Sequence, residues 1–350
     1  MVAALKVELK HGAGGGAMDS ILKASVIGNF QQFDAEVPLS AMDDSAVVNG
    51  IAFSTDSYTV RPIFFPGGDI GRLAVSGTIN DVSMIGAKPI ALSSGIVLEE
   101  GFETSDLERI TKSMGETAAR AGVGIVTGDL KVVEKGSLDR ILINTSGIGV
   151  ADPALDSNHL IAGTNGRRSR WLTDSNLADG DVIIASGYIG DHGVAIMSSR
   201  EGYGFESNVK SDVAPLNGMI HAVLEAGGVV AAKDPTRGGV ANALNEWNEK
   251  SGTGIEVEEE NIPIREGVRS ACELLGIDPL HIGNEGKALI AVIPERAEAV
   301  LEALHRTEEG KNASIIGVAR KELKYVVLRT EVGGERILER PVGDPVPRIC

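Results

Sequence analysis

The chain is short of several things, and each shortage removes a class of function. Only two cysteines, Cys272 and Cys350, occur in 350 residues. That rules out a disulfide framework or a cysteine-built zinc site, and a reducing, cytoplasmic compartment is the expectation. No apolar run reaches the ~18–20 residues needed to cross a bilayer, and Met1 to Lys10 carries no signal-peptide pattern. Basic residues are outnumbered: 33 Lys and Arg stand against 49 Asp and Glu, a formal net charge of −16. Nucleic acid, which needs a basic stripe, is therefore not an expected partner. A Gly-x-x-x-x-Gly-Lys-Ser/Thr phosphate loop, a Gly-x-Ser-x-Gly elbow, low-complexity tracts and internal repeats are also missing.

Glycine, by contrast, is abundant, at 44 residues, and many of these sit beside Asp, Asn, Thr or His in what read as tight turns. The length suggests about two domains. The pattern predicts strands over 51–58, 91–98, 124–127 and 140–150, and helices over 70–86 and from the Ser105-Asp106-Leu107-Glu108 capping box onward. The second half alternates again. Strands are expected at 181–186, 255–258, 288–293, 314–319 and 324–330. Helices are expected after Gly190 and at 216–226, 239–250, 266–275 and 295–308. Such alternation gives layered α/β and α+β domains. The division is a glycine-rich N-terminal segment (1–40), a first domain (41–155), a polar linker or exposed hairpin (156–178) with a solvated basic cluster at 166–170, a second domain (179–335) and a tail (336–350).

The chemistry-bearing residues are mostly acidic. Asp43, Asp44, Asp56, Asp81, Asp129 and Asp234 fall in glycine-flanked turns or at element ends. Each alone reads as a cap; together with Thr78 and Asn80 they suit Mg²⁺, a hard cation that leaves room for substrate phosphates. A metal of this kind also lets an acidic protein bind a polyphosphate. The run from His11 to Gly16 could bring backbone N–H groups to an anion, or be a floppy loop. Cys272 reads as a packing residue on an apolar helix face. The tail holds Pro341, Pro345 and Pro347 and ends at Cys350. Prolines keep such a segment extended, with a reach on the order of 30 Å. It is either a frayed terminus or a swinging arm with a nucleophilic thiol at its tip.

Motifs along the whole chain carry a resemblance. They are His11-Gly12-Ala13-Gly14-Gly15, Asp43-Asp44-Ser45-Ala46, Phe64 to Gly71, Asn80-Asp81, Val126-Thr127-Gly128-Asp129, Gly190-Asp191-His192-Gly193, Asp234 to Gly239, Asn284-Glu285-Gly286 and Pro347-Arg348-Ile349-Cys350. In this order they resemble the HypE family of carbamoyl dehydratases, relatives of aminoimidazole ribonucleotide synthetase. The stretch from Ser157 to Leu172 is longer than the family pattern, and Leu130 replaces a small polar residue. The resemblance implies an N-terminal α/β domain whose strands form a barrel across a homodimer, and a C-terminal α+β domain. It implies ATP and Mg²⁺ in a cleft. Gly14, Gly15, Asp44, Thr78, Asn80, Asp81, Gly128, Asp129 and Asp234 would bind nucleotide, with Asp43, Asp44, Asp81 and Asp129 around the metal. A HypF-type carbamoyltransferase would load Cys350. Lys131 would neutralise charge, Glu285 would act as the base, and cyanide would pass to a HypC–HypD-type complex. The other readings are a small-molecule synthetase of the same superfamily, indifferent to loss of the tail, and a nucleotide-binding scaffold that releases no phosphate.

Overall fold

A computed structural model describes residues 6–12, 14–31, 33–163, 169–200, 207–341 and 349–350. The first half opens with a short helix α1 (Gly15–Ile21). It continues through β1 (Ala46–Val48), β2 (Ile51–Tyr58), a small hairpin β3 (Phe64–Phe65) and β4 (Gly68–Asp69), and α2 (Ile70–Met84). Then come β5 (Ala87–Glu99), α3 (Thr104–Ala121), β6 (Gly124–Val133), β7 (Ile141–Ala151) and α4 (Leu155–Ala162). Five of these strands form one sheet in the order β1-β2-β7-β5-β6, antiparallel except for the parallel β5–β6 pair. Helix α2 starts where the Asp69 carboxylate accepts the N–H groups of Gly71 and Arg72 at 2.8 and 3.1 Å. It is apolar on nearly every side because the sheet covers one face and α3 and the second half cover the rest.

The second half contains β8 (Val182–Ala185), α5 (Asp191–Ser198), α6 (Asn217–Ala226), β9 (Val229–Lys233), α7 (Gly239–Ser251), β10 (Gly254–Glu258) and α8 (Glu266–Leu275). It ends with β11 (Leu289–Val292), α9 (Ala297–His305), β12 (Ser314–Arg320), β13 (Val326–Arg329) and β14 (Glu335–Ile337). The seven-stranded sheet runs β14-β13-β10-β12-β8-β11-β9. Strands β8 and β11 and the end strand β9 are buried almost throughout, so they read as continuous Val/Ile/Ala runs rather than alternating ones. Three apolar clusters hold the molecule together, and two of them span both halves.

Four features differ from the sequence expectation. The stretch expected as a polar linker is largely packed: it forms α4, and Trp171 and Leu172 are buried in the cluster shared by the halves. Its polarity belongs to buried caps and bridges, such as Asn158 to Val229 and Asn176 to Trp171 and Val230. Of the basic cluster, Arg170 pairs with Asp156 and stacks on Trp171, while 166–168 lie outside the described residues. The capping-box side chains do not cap α3: Glu103 precedes the helix without a side-chain bond, and Asp106 pairs with Arg140 at 2.8 Å. Gly128 to Lys131 lie inside β6 rather than after it, and every residue from Gly124 to Val132 is exposed on the open sheet edge. The tail is anchored further along than expected: Glu335–Ile337 is a strand, Leu338 is buried, and Arg340 pairs with Asp19, Glu246 and Glu249. Pro345, Pro347 and Arg348 lie outside the described residues.

Candidate functional site

A chamber of ≈ 380 Å³ opens between the halves, a size that suits a nucleotide-sized ligand. Helix α1 and the irregular helical segment after it supply an apolar wall of Met18, Leu22, Val26, Ile27 and Phe30. Gly14 and Gly15 stand at its rim with φ of 79° and 73°, backbone geometry that side chains disfavour. Gly14 also passes too close to the Arg237 carbonyl to accept a Cβ comfortably. The opposite wall is acidic. Among the described residues eight carboxylate side chains line the chamber (Asp19, Asp43, Asp44, Asp56, Asp81, Asp234, Glu246 and Glu285) against two cations, Lys233 and Arg237.

The acids divide into two sets. The first is neutralised by lysines. Lys233 Nζ lies 2.7 Å from Asp44, 3.2 Å from Asp174 and 3.1 Å from Glu246. Lys250 Nζ lies 2.6 Å from Asp174 and 3.3 Å from Asp43. Burial alone would discharge Lys233, but Asp174, Asp44 and Glu246 outweigh it and hold the ammonium well above its ordinary pKa. Burial pushes Asp174 up, yet Lys233 and Lys250 more than offset this and leave it below the usual carboxylate range. Asp174 also accepts the Trp247 indole N–H at 2.8 Å. Asp43 shares too little of this charge: burial, then Asp174, push it up to about 7.

The second set makes no ion pair with lysine among the described residues, and the relief it gets is smaller. Asp81 accepts the Ser54 hydroxyl at 2.7 Å, but burial and then Asp234, Asp56 and Asp44 raise it well above the ordinary value. Asp234 is raised likewise by burial and Asp44, and its Oδ2 is buried without a hydrogen-bond partner. Glu285 is 3% exposed, and burial, Asp234, Asp212 and Asp56 raise its carboxyl while Arg237 opposes them. Cys350 lines the same chamber, and the chain end at Cys350 is the main cause holding Arg237 firmly charged. The structure therefore presents a thiol, a proton-hungry carboxylate and an acidic floor in one enclosed space. That arrangement suits acid–base and phosphoryl chemistry on a group carried by the thiol.

Gly14, Gly15, Asp43, Asp44, Asp81, Asp234, Glu285 and Cys350 meet at this chamber. Thr78 and Asn80 do not line it. Thr78 is buried against Thr145 and Tyr58. Asn80 is a bracket, accepting the Leu216 N–H and donating to the carbonyls of Ala214 and Glu285. Asn80 thereby sets the backbone of Glu285, which a buried amide at the centre of an apolar helix can signal. Gly128, Asp129 and Lys131 lie on the exposed edge of β6, outside the chamber wall. Sequence reasoning missed Lys233, Lys250 and Asp174 as a charge network. Lys233 looks like the polar end of a strand, and its partners are 59 and 189 residues away. Among the described residues no three His, Cys, Asp or Glu side chains form a ready metal cage. Asp81 and the orphaned Asp234 nevertheless fit a hard cation that takes one or two carboxylates and fills its shell from phosphates.

Comparison with known proteins matches both halves to one superfamily. Residues 42–151 fit the N-terminal domain of AIR synthase related proteins and residues 178–328 fit the C-terminal domain. A carbamoyl dehydratase HypE of Azotobacter vinelandii is 46% identical over 98% of this chain and 97% of its own. A crystal structure of a HypE–HypF complex contains a chain 45% identical, with a TM-score of 0.83 over 93% of this chain and 100% of that one. The hydrogenase maturation protein HypE in complex with ATP is 40% identical, with a TM-score of 0.78 over 99% of this chain and 100% of that one.

Removing Lys233 tests the charge balance. Lys233→Met leaves Asp44, Asp174 and Glu246 without their shared cation and is expected to destabilise the fold by ~3–5 kcal/mol in urea unfolding at neutral pH. Asp174 is the depressed partner, so its stabilising contribution exists above the unfolded carboxylate pKa and fades as pH falls through the folded one. The deficit should accordingly shrink on acidification. An unchanged unfolding midpoint at neutral pH would show that the network contributes nothing.

Proposed function

The chain belongs to the HypE family within the AIR synthase related superfamily, and from that premise we propose that it is an ATP-dependent carbamoyl dehydratase of hydrogenase maturation. The observation that carries the mechanism is the meeting of Cys350, Glu285, Asp81 and Asp234, with its orphaned Oδ2, in one chamber. A HypF-type carbamoyltransferase loads a carbamoyl group onto Cys350 Sγ, giving S–CO–NH₂. Oxide is a poor leaving group, so the γ-phosphoryl of ATP moves to the carbonyl oxygen and ADP departs. The C–O bond then breaks with loss of phosphate, both N–H protons leave in the two steps, and S–C≡N remains. Cyanide passes on to a HypC–HypD-type iron complex. A synthetase acting on a free small molecule would leave a terminal thiol inside the chamber without a task.

Glu285 is placed to take an N–H proton, and its raised pKa makes it an effective base once ionised. The apolar wall of α1 suits the nucleotide base, and Gly14 and Gly15 leave backbone open toward its phosphates. Asp81 and Asp234 would hold Mg²⁺, which supplies neutralisation of phosphate charge. Asp44 and Asp43 line the same chamber but are already paired with Lys233 and Lys250, which leaves Asp81 and Asp234 the freer carboxylates for the cation.

The barrel is a matter of assembly. β6 is an open edge carrying Val126, Leu130 and Val132, and the same sheet exposes Ile51, Phe53, Ile90, Ile148 and Val150. An unprotected apolar edge and face of this kind call for a cover. In the homodimer proposed here two copies cover each other through them, which encloses Asp129 and Lys131.

Glu285→Gln should accept the carbamoyl group and then stall, seen as persistence of the carbamoyl mass in intact-protein spectra with ATP present; cyanation at the wild-type rate would assign the base elsewhere. In the wild type, single-turnover dehydration should rise with pH through a value well above 4.5, because Glu285 must lose its proton to act and burial and its acidic neighbours hold that proton on. A pH-independent rate would remove Glu285 as the base. Val126→Arg with Leu130→Arg should convert the dimer to monomer in sedimentation, and an undisturbed dimer would place the interface on another face.

A further inference from the structure

Gly190-Asp191-His192-Gly193 stands out in the sequence, yet none of its side chains reaches the chamber. Its histidine instead faces the end of the tail. His192 is fully buried, and its Nε2 lies 2.9 Å from the carbonyl oxygen of Ile349. A carbonyl only accepts, so Nε2 carries the proton. Nδ1 then accepts from the Ser211 hydroxyl at 2.8 Å. Ser211 is itself fixed: its N–H donates to the Pro66 carbonyl at 2.8 Å and its Oγ accepts from Val213 N–H at 3.1 Å. The edge-on contact with Phe65, ring centroids 5.5 Å apart, fixes the imidazole plane. Burial lowers its pKa to about 4, so the ring is neutral at physiological pH and keeps this tautomer.

Beside the ring, the Ile349 side chain is 4% exposed and joins the apolar cluster that spans both halves. Gly193 and Gly283 form its socket: a Cβ on either would meet Ile349 Cδ1 at 3.3 or 3.2 Å. We propose that His192 and this socket form a latch for the chain end, reading the backbone and side chain of Ile349 so that Cys350 Sγ is set in the chamber. His192 is thus a positioning residue that acts through Ile349 and touches no reacting atom. The latch ties together motifs more than a hundred residues apart, since Pro66, Ser211 and His192 serve one hydrogen-bond relay ending at Ile349.

The latch itself rests on geometry, and its consequence for catalysis rests on the carbamoyl dehydratase reading, so the test separates the two. In unloaded protein without ATP, the rate of Cys350 alkylation by iodoacetamide, mapped by peptide mass, reports how often the chain end leaves the chamber. His192→Phe keeps the ring and removes the donor. Ile349→Ala empties the socket and, lying at the chain end, leaves the fold intact. Each should raise the alkylation rate about tenfold, the scale of one lost net hydrogen bond or buried aliphatic group. His192→Gln, which restores a side-chain N–H donor, should recover part of the protection. With pre-carbamoylated protein and ATP, His192→Phe and Ile349→Ala should slow single-turnover dehydration by a similar factor while ATP affinity is unchanged. Unchanged alkylation in both variants overturns the latch. Faster alkylation in both, with no dehydration detectable even in the wild type, upholds the latch and removes the dehydratase reading.

Discussion

The structure depends on a crowd of buried carboxylates that the chain only partly neutralises. Eight acidic side chains line one chamber with two cations among them, and charges so enclosed interact strongly. Where lysine is supplied, the acids become structure. Asp44, Asp174 and Glu246 grip Lys233, and the irregular N-terminal turn at Asp43 is tied through Lys250 to α7. At Asp81, Asp234 and Glu285, which make no ion pair with lysine among the described residues, burial and crowding raise proton affinity well above the ordinary value and leave a floor that calls for positive charge. The difference is one of degree, since burial raises Asp43 and Asp44 as well despite their lysines. Full neutralisation would make a more stable protein with no reason to bind a metal-bound polyphosphate and no base able to accept a proton near neutrality.

Holding such a floor in register needs rigid supports, and these come from the apolar elements. Helix α2 is buried on nearly all sides and carries Asp81 on one turn and Asn80 beside it. Because Asn80 binds the Leu216 N–H and the Glu285 carbonyl, the helix sets the position of a loop 205 residues further along the chain. Asp212 completes the bracket by accepting the Glu285 N–H at 3.1 Å. Glu285 is thus fixed by its backbone while it lines the chamber.

This division explains what the sequence makes legible. Elements with strong periodicity or clear turn chemistry lie close to the expected positions: β2 at Ile51–Tyr58 and α8 at Glu266–Leu275 are examples. The acidic residues could be gathered as a set because they fall in glycine-flanked turns or at element ends, as Asp129 follows Gly128. What could not be read was pairing over distance. Lys233 ends a strand whose local sequence is unremarkable, and only folding brings it to Asp44 and Asp174. The 156–178 stretch misled for a related reason: its Asn, Asp and Ser residues look solvated, yet several cap or bridge buried backbone. Asp129 and Lys131 sit on an exposed sheet edge away from the chamber, and nothing in their local sequence distinguishes that edge from a turn at the site.

Under the proposed function the thiol would be held in the chamber for chemistry and released for exchange with partners, and the energetics of the chain end suit both. Arg340 and Pro341 are fixed at the chamber mouth, Arg340 by three carboxylates and Pro341 by burial against Gly15 and Gly238. Between Pro341 and Ile349 lie residues 342–348, outside the described residues. Tethering over so few residues gives the tip a millimolar effective concentration. Burying the Ile349 side chain contributes ~1.5–3 kcal/mol and its hydrogen bond to His192 ~1 kcal/mol. A few kcal/mol make the docked state dominant without closing off departure, since a partner offering a comparable surface to the tip can compete for it. In the proposed reaction a tighter socket would hold Cys350 away from its carbamoyl donor, and a looser one would leave the loaded group outside the chamber that Glu285 lines.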